Sequence, residues 1–229
     1  MTSDLRTLSL HLAECTELEA ESFRGAVALL PCGALEGHGP HLPVAAGILI
    51  ARAAAERAAA KLDEEDWSSM VLPTTTYSTA GALRLAPETA IAVVRDVCLA
   101  TRRWGMGGVV LCSVTREPEH VACLREAARL ATQAGVETAF PDISHNPYAA
   151  LLGLDARAPS RRGGRLETAL MMAVRPSEIR ARMMTSDAAA ATVEEGRLLL
   201  ASLVGIFANA AIDLLEGGRT RRGLASAAP

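Results

Sequence analysis

Aromatic residues are scarce in this chain. Two Trp, two Tyr and three Phe amount to 3% of its 229 residues, while hydrophobic residues as a whole make up 50%. The core therefore has to be built from Ala, Val, Leu, Ile and Met. An excess of either charge is also missing. The formal net charge is −3, which removes the electrostatic case for nucleic acid or an acidic membrane as partner. Adjacent basic residues occur only in short groups, at Arg102-Arg103, Arg161-Arg162 and Arg219-Thr220-Arg221-Arg222. The five cysteines are odd in number, widely spaced and without a C-x-x-C pair. That usage argues against a disulfide framework and for a reduced, cytoplasmic setting. The opening stretch MTSDLRTLSLHLAEC has an early Asp and no apolar segment of secretory type. No apolar run is read as reaching the roughly 18 residues of a membrane span, so no membrane partner is expected.

What is present is an alternation of short apolar runs and longer Ala-rich segments. Residues 26–31 (AVALLP) read as a buried parallel strand, followed by the glycine-rich loop EGHGPH. Residues 48–66 read as a helix and 69–73 as a second strand, followed by the Thr-rich turn TTTYSTAG. Pro87 opens a helix that runs to about Trp104, and Val109 to Cys112 form a third strand. Pro118 starts a helix to Ala134, and residues 136–140 read as a fourth strand. Two more helices are expected at 166–174 and 193–215. This pattern predicts an α/β fold, a three-layer α/β/α sandwich with a mostly parallel sheet. A single domain is expected over residues 1–217, with 218–229 as a disordered tail. In such sheets ligands sit at the carboxyl ends of the strands. That points to three segments: EGHGPH, TTTYSTAG and SVTREPEH.

In the first of these, Glu36 and His38 offer an oxygen and a nitrogen to a divalent metal. The run PCGALEGHGPHLP, preceded by a strand and followed by a long Ala-rich helix, resembles the creatininase (creatinine amidohydrolase) family, with its pattern P-x-G-S-x-E-Q-H-G-P-H-L-P-x-x-T-D. The resemblance continues through Gly81-Ala82-Leu83-Arg84-Leu85, through Gly108-Val109-Val110-Leu111, and through Gly164-Arg165-Leu166-Glu167-Thr168-Ala169-Leu170-Met171. It reaches the start of the last helix at Ala191-Thr192-Val193-Glu194-Glu195-Gly196-Arg197. What it implies is a creatininase-type fold and a two-metal amidohydrolase, in which a shared carboxylate bridges two cations that activate a water.

Carried over residue by residue, that implication breaks. Glu36, His38 and the loop-supporting His41 are in place. The family's shared Asp falls on Gly47, a ligand His falls on Thr115, and the His of its H-A-G element falls on Arg162. Glycine has no side chain to offer, threonine is a poor ligand for zinc or manganese, and arginine is a permanent cation. Glu167 and Glu117 keep the carboxylates. The loop at Ser78-Thr79-Ala80, beside Tyr77, and the segment between Pro176 and Ala191 are shorter than the family's.

Three readings are carried forward. The first is a non-hydrolytic pseudoenzyme, a homo-oligomer or a hetero-oligomer with a creatininase-family paralogue. The second is a mononuclear metal-dependent amidohydrolase acting on a small cyclic amide, formamide or short peptide. Its single zinc, manganese or iron would be held by Glu36, His38, His120 and Glu167, with Glu117 and Arg162 as catalytic candidates. Here His120, three positions after Glu117, substitutes for the lost His. The third is a small-anion-binding module lined by Arg116, Arg162, Arg165 and Tyr77. Cys32 and Cys112, at strand ends, are the candidate thiol nucleophiles.

Overall fold

The computed structural model describes residues 10–79, 81, 83–154 and 162–226, with side chains through residue 217. Of the residues singled out above, 1–9, Ala80, Ala82, Arg161 and 227–229 lie outside the described residues. Four strands, β1 (Val27–Cys32), β2 (Ser69–Val71), β3 (Gly108–Ser113) and β4 (Thr138–Ala139), form one parallel sheet in the order β2-β1-β3-β4. The helices are α1 (Glu17–Glu21), α2 (Ala46–Glu64), α3 (Pro87–Ala100), α4 (Pro118–Gln133), α5 (Tyr148–Leu151), α6 (Arg165–Val174), α7 (Ser186–Ala189) and α8 (Val193–Ser226).

Strand alternation divides the core in two. Val27, Leu29, Val110 and Cys112 face a cluster built on α2, α6 and α8. Ala28, Leu30, Val109 and Leu111 face the cluster of α3 and α4. Period-2 side chains on a sheet covered on both faces require apolar residues at every position, and β1 and β3 are buried throughout. The expected three-layer α/β/α sandwich is the observed architecture. With so few aromatics, close approach of small residues replaces bulk. The buried side of α2 is Ala46, Ala51, Ala54, Ala55, Ala58 and Ala59 with Ile50 and Leu62. Where α8 crosses α6, a Cβ on Gly196 would lie 1.8 Å from the Ala169 carbonyl oxygen, so only glycine fits there.

Three sequence expectations need correction. β4 has two paired residues rather than five, because it is an edge strand bonded to β3 alone. The backbone of α8 stays helical to Ser226, where a disordered tail was expected from residue 218. Two adjacent glycines weaken a helix by about 1 kcal/mol each without ending it. Residues 193–217 of α8 are also long and apolar enough to cross a membrane by composition, with a mean hydropathy of 2.1 over the window tested. The sequence reading had found no such run. Within the fold this helix buries Leu199, Leu200, Leu203, Phe207 and Ala211 against α2, α6 and the sheet.

The chain leaves β1 toward β2 on one side and returns to β3 on the other. The carboxyl ends of β1 and β3 therefore flank the switch point at which an open parallel sheet forms its crevice.

Candidate functional site

The loop after β1 brings Glu36 and His38 to this crevice. The loop after β3 brings Thr115, Arg116 and Glu117, and the turn before α6 brings Arg162 and Glu167. Gly47, in the first turn of α2, forms the floor together with Cys32. The turn before α6 meets the loop after β1 because of Gly163. Its φ is +67°, and a Cβ there would lie 2.3 Å from the His38 carbonyl oxygen, so the turn presses directly on the EGHG backbone.

The two loop histidines are held by fixed partners. His38 is 2% exposed, and its Nδ1 lies 2.8 Å from Glu167 Oε2. A carboxylate accepts, so Nδ1 carries a proton and Nε2 is left facing the crevice. Glu167 Oε2 also accepts from the Gly163 N–H at 2.5 Å. His41 is fully buried, with Nε2 2.9 Å from Thr168 Oγ1. The Thr168 hydroxyl donates its one proton to the Gly164 carbonyl at 2.8 Å, so His41 Nε2 donates to Thr168. His41 thus ties the loop to α6, and burial pushes its pKa down.

Arg162 occupies the centre of the acidic group. Its Nε lies 2.9 Å from Glu36 Oε2, and its Nη2 donates to Glu117 Oε2. The Arg162 N–H is off the direction of Glu36 Oε2, which has no aligned hydrogen bond. The contact is therefore one of charge rather than of directed bonding. Burial pushes the Glu36 carboxyl up, and the Arg162 guanidinium is the largest influence pulling it back. His38 Nε2 is likewise buried without a hydrogen-bond partner. It points toward Gly47, where a Cβ would stand 3.8 Å away. The cavity between these groups is about 20 Å³, room for about one water molecule.

The other sequence candidates fall elsewhere. Glu117 is the N-cap of α4 with extended backbone (φ −72°, ψ 118°), so it shares no helical face with His120. His120 is 3% exposed within α4 and does not line the crevice. The quartet Glu36, His38, His120 and Glu167 is thus not brought together. Among the described residues, no group of three or more His, Cys, Asp or Glu is placed to hold a metal ion. Thr115 spends its hydroxyl on the turn, accepting from the Glu117 N–H at 3.2 Å. Arg165 is directed away, its Nε 2.9 Å from Glu195. Arg116 lines the crevice, while Tyr77 is exposed outside it, so the anion-binding set does not converge. Cys32 and Cys112 are fully buried; burial pushes Cys32 up to about 12 and Cys112 well above its usual value, which makes poor nucleophiles of both. The Arg162–Glu36 pair and the Gly163 contact were missed in the sequence. The pattern H-G beside R-G, with no spacing rule between them, carried no signal of the second.

The family model Creatininase, described as creatinine amidohydrolase, matches residues 13–211. No curated protein matches. Among solved structures, the chain is similar to one described as Creatininase Mn, at 21% identity and TM-score 0.69, covering 89% of this chain and 97% of that one. A mutant creatininase complexed with creatine gives 22% and 0.69, covering 91% and 99%. A mutant creatininase of Zn-Zn type gives 22% and 0.67, covering 89% and 97%. At these identities the likeness is one of fold.

Proposed function

The chain belongs to the creatininase (creatinine amidohydrolase) family, and from that premise we propose that it is a non-hydrolytic member, a pseudoenzyme that works through binding or assembly. The observation that carries this reading is Gly47. The family pattern places its shared carboxylate at this position, and the residue faces His38 Nε2 at the distance a side chain would need to reach it. Among the described residues, no other carboxylate takes its place. Glu36 and Glu117 are engaged by Arg162, and Glu167 by His38 and the Gly163 N–H. The residues present therefore do not fit a two-metal centre. The cavity of about 20 Å³ is also far below the several hundred Å³ of ordinary small-molecule sites.

Assembly is the function that remains for such a scaffold, as a homo-oligomer or beside a paralogue that keeps its ligands. Leu198 and Leu151 lie exposed on and beside α8 and offer apolar surface to it. A cytoplasmic setting agrees with five free cysteines, four of them buried. The test is purification of the native protein with its partners, followed by metal analysis and amide-hydrolysis assays. Metal-free, inactive protein in a defined oligomer supports the reading, and stoichiometric metal with turnover overturns it.

One observation favours a second reading, a mononuclear amidohydrolase. Glu36 Oε2 and His38 Nε2 are both buried acceptors without an aligned donor. After displacement of Arg162, Glu36 and His38 would offer a carboxylate and an imidazole to one divalent cation, which would supply Lewis-acid activation of an amide carbonyl. His38→Ala would have to lower both bound metal and turnover.

A further inference from the structure

We propose that Arg162 is the resident cation of the crevice: its guanidinium stands between Glu36 and Glu117 where a metal ion would otherwise be required, and holds the acidic cluster folded without one. The inference rests on the reading that the family's two-metal chemistry is absent from this chain.

Three carboxylates meet at this point from three separate segments, after β1, after β3 and at the start of α6. Glu36 is 7% exposed. Glu117 and Arg162 are partly exposed, at 31% and 38%, so the repulsion that a cation must offset is felt most at Glu36. The imidazole of His38 turns its Nδ1 to Glu167, and its Nε2 makes no hydrogen bond to Glu36 or Glu117. Arg162 meets two acids together, with Nε toward Glu36 and Nη2 toward Glu117. A guanidinium carries its donors in a fixed fork and keeps its charge at any physiological pH, whereas a lysine presents a single point charge.

The backbone also fixes Arg162 in that position. The neighbouring Gly163 lies so close to His38 that a Cβ would fall 2.3 Å from its carbonyl oxygen, and its N–H is bound by Glu167. The turn that carries the cation is thus pinned to the loop that carries the acids. Arg165 does not share the role, since it pairs with Glu195 outside the crevice. The consequence is a latent metal dependence. Remove the guanidinium, and the cluster needs a divalent cation to stay closed.

Thermal unfolding of wild type, Arg162→Gln and the control Arg165→Gln, each with and without manganese or zinc chloride, tests this. The expected result is a wild type whose Tm ignores the metals. Arg162→Gln should lose about 2–4 °C and recover most of it with either metal. Arg165→Gln should show no metal response. If Arg162→Gln does not fold, the double variant Arg162→Gln/Glu117→Gln removes one repelling acid and should fold without metal. An Arg162→Gln protein with wild-type Tm, or a loss that neither metal nor Glu117→Gln repairs, overturns the inference and leaves the pseudoenzyme reading standing. A wild type stabilised by the metals as strongly as the variant overturns the pseudoenzyme reading itself.

Discussion

Gly47 faces His38 across the floor of the crevice, with the site of a Cβ 3.8 Å from His38 Nε2. That distance is an ordinary contact, so a side chain would fit there without displacing the histidine. Gly47 also lies in the first turn of α2, where a carboxylate gains from the helix dipole. Gly47→Asp combined with Arg162→His returns the two side chains that the family pattern carries at these positions. The double variant should acquire manganese or zinc binding at least about tenfold tighter than wild type, about 1.4 kcal/mol, measured by isothermal titration calorimetry. Equal and weak binding by both proteins would show that position 47 is not where the metal site was lost.

Gly163 and Gly153 provide a paired test of close packing. Both have positive φ, +67° and +63°, but only Gly163 has backbone of another segment against it. Gly153→Ala should cost about 1–2 kcal/mol from left-handed backbone alone. Gly163→Ala should cost at least about 2 kcal/mol more, because the turn must lift off His38. Urea unfolding of the two variants measures the difference. Equal costs would mean that the α6 turn is not anchored as described.

Gly196 and Gly205 both lie within α8, yet opposite outcomes are expected for them. A Cβ at 196 meets the Ala169 carbonyl at 1.8 Å, while one at 205 meets nothing within 4 Å. Gly205→Ala should stabilise by about 0.5–1 kcal/mol through helix propensity and a less free unfolded chain. Gly196→Ala should destabilise by about 1–3 kcal/mol through overpacking. Thermal and chemical unfolding read both signs.

His120 should make the protein acid-sensitive. Burial pushes its pKa down to about 4 from 6.5, against a smaller opposing pull from Glu117. The unfolded chain therefore binds a proton that the native state refuses. Stability is unaffected above about pH 6.5, falls between 6.5 and 4, and loses nothing further below that from this group. The loss from pH 7.5 to 5 should be about 2 kcal/mol. His120→Asn should remove that part of the pH dependence in urea titrations at the two pH values. An unchanged slope would mean that His120 is protonated in the native state.

Much of the fold could be read because its signals are local. β1 and β3 are continuous apolar runs, Pro87 and Pro118 mark helix starts, and the EGHGPH loop follows a strand end. The site was legible only in its residue types. Arg162 could be read as a permanent cation at the family's His position, but its contacts with Glu117 and Glu36 join residues far apart in the chain. His120 was misplaced because spacing from Glu117 assumes a helix that begins only at Pro118.

The central claim is that this family member keeps the scaffold without the metal chemistry, with Arg162 supplying the charge. Metal content answers it most directly, by elemental analysis of natively purified wild type and by calorimetric titration of the same protein with manganese and zinc. The account predicts well under one metal ion per chain and no saturable site for either ion. One or two tightly held ions per chain, lost together with amide hydrolysis on chelation, would contradict it.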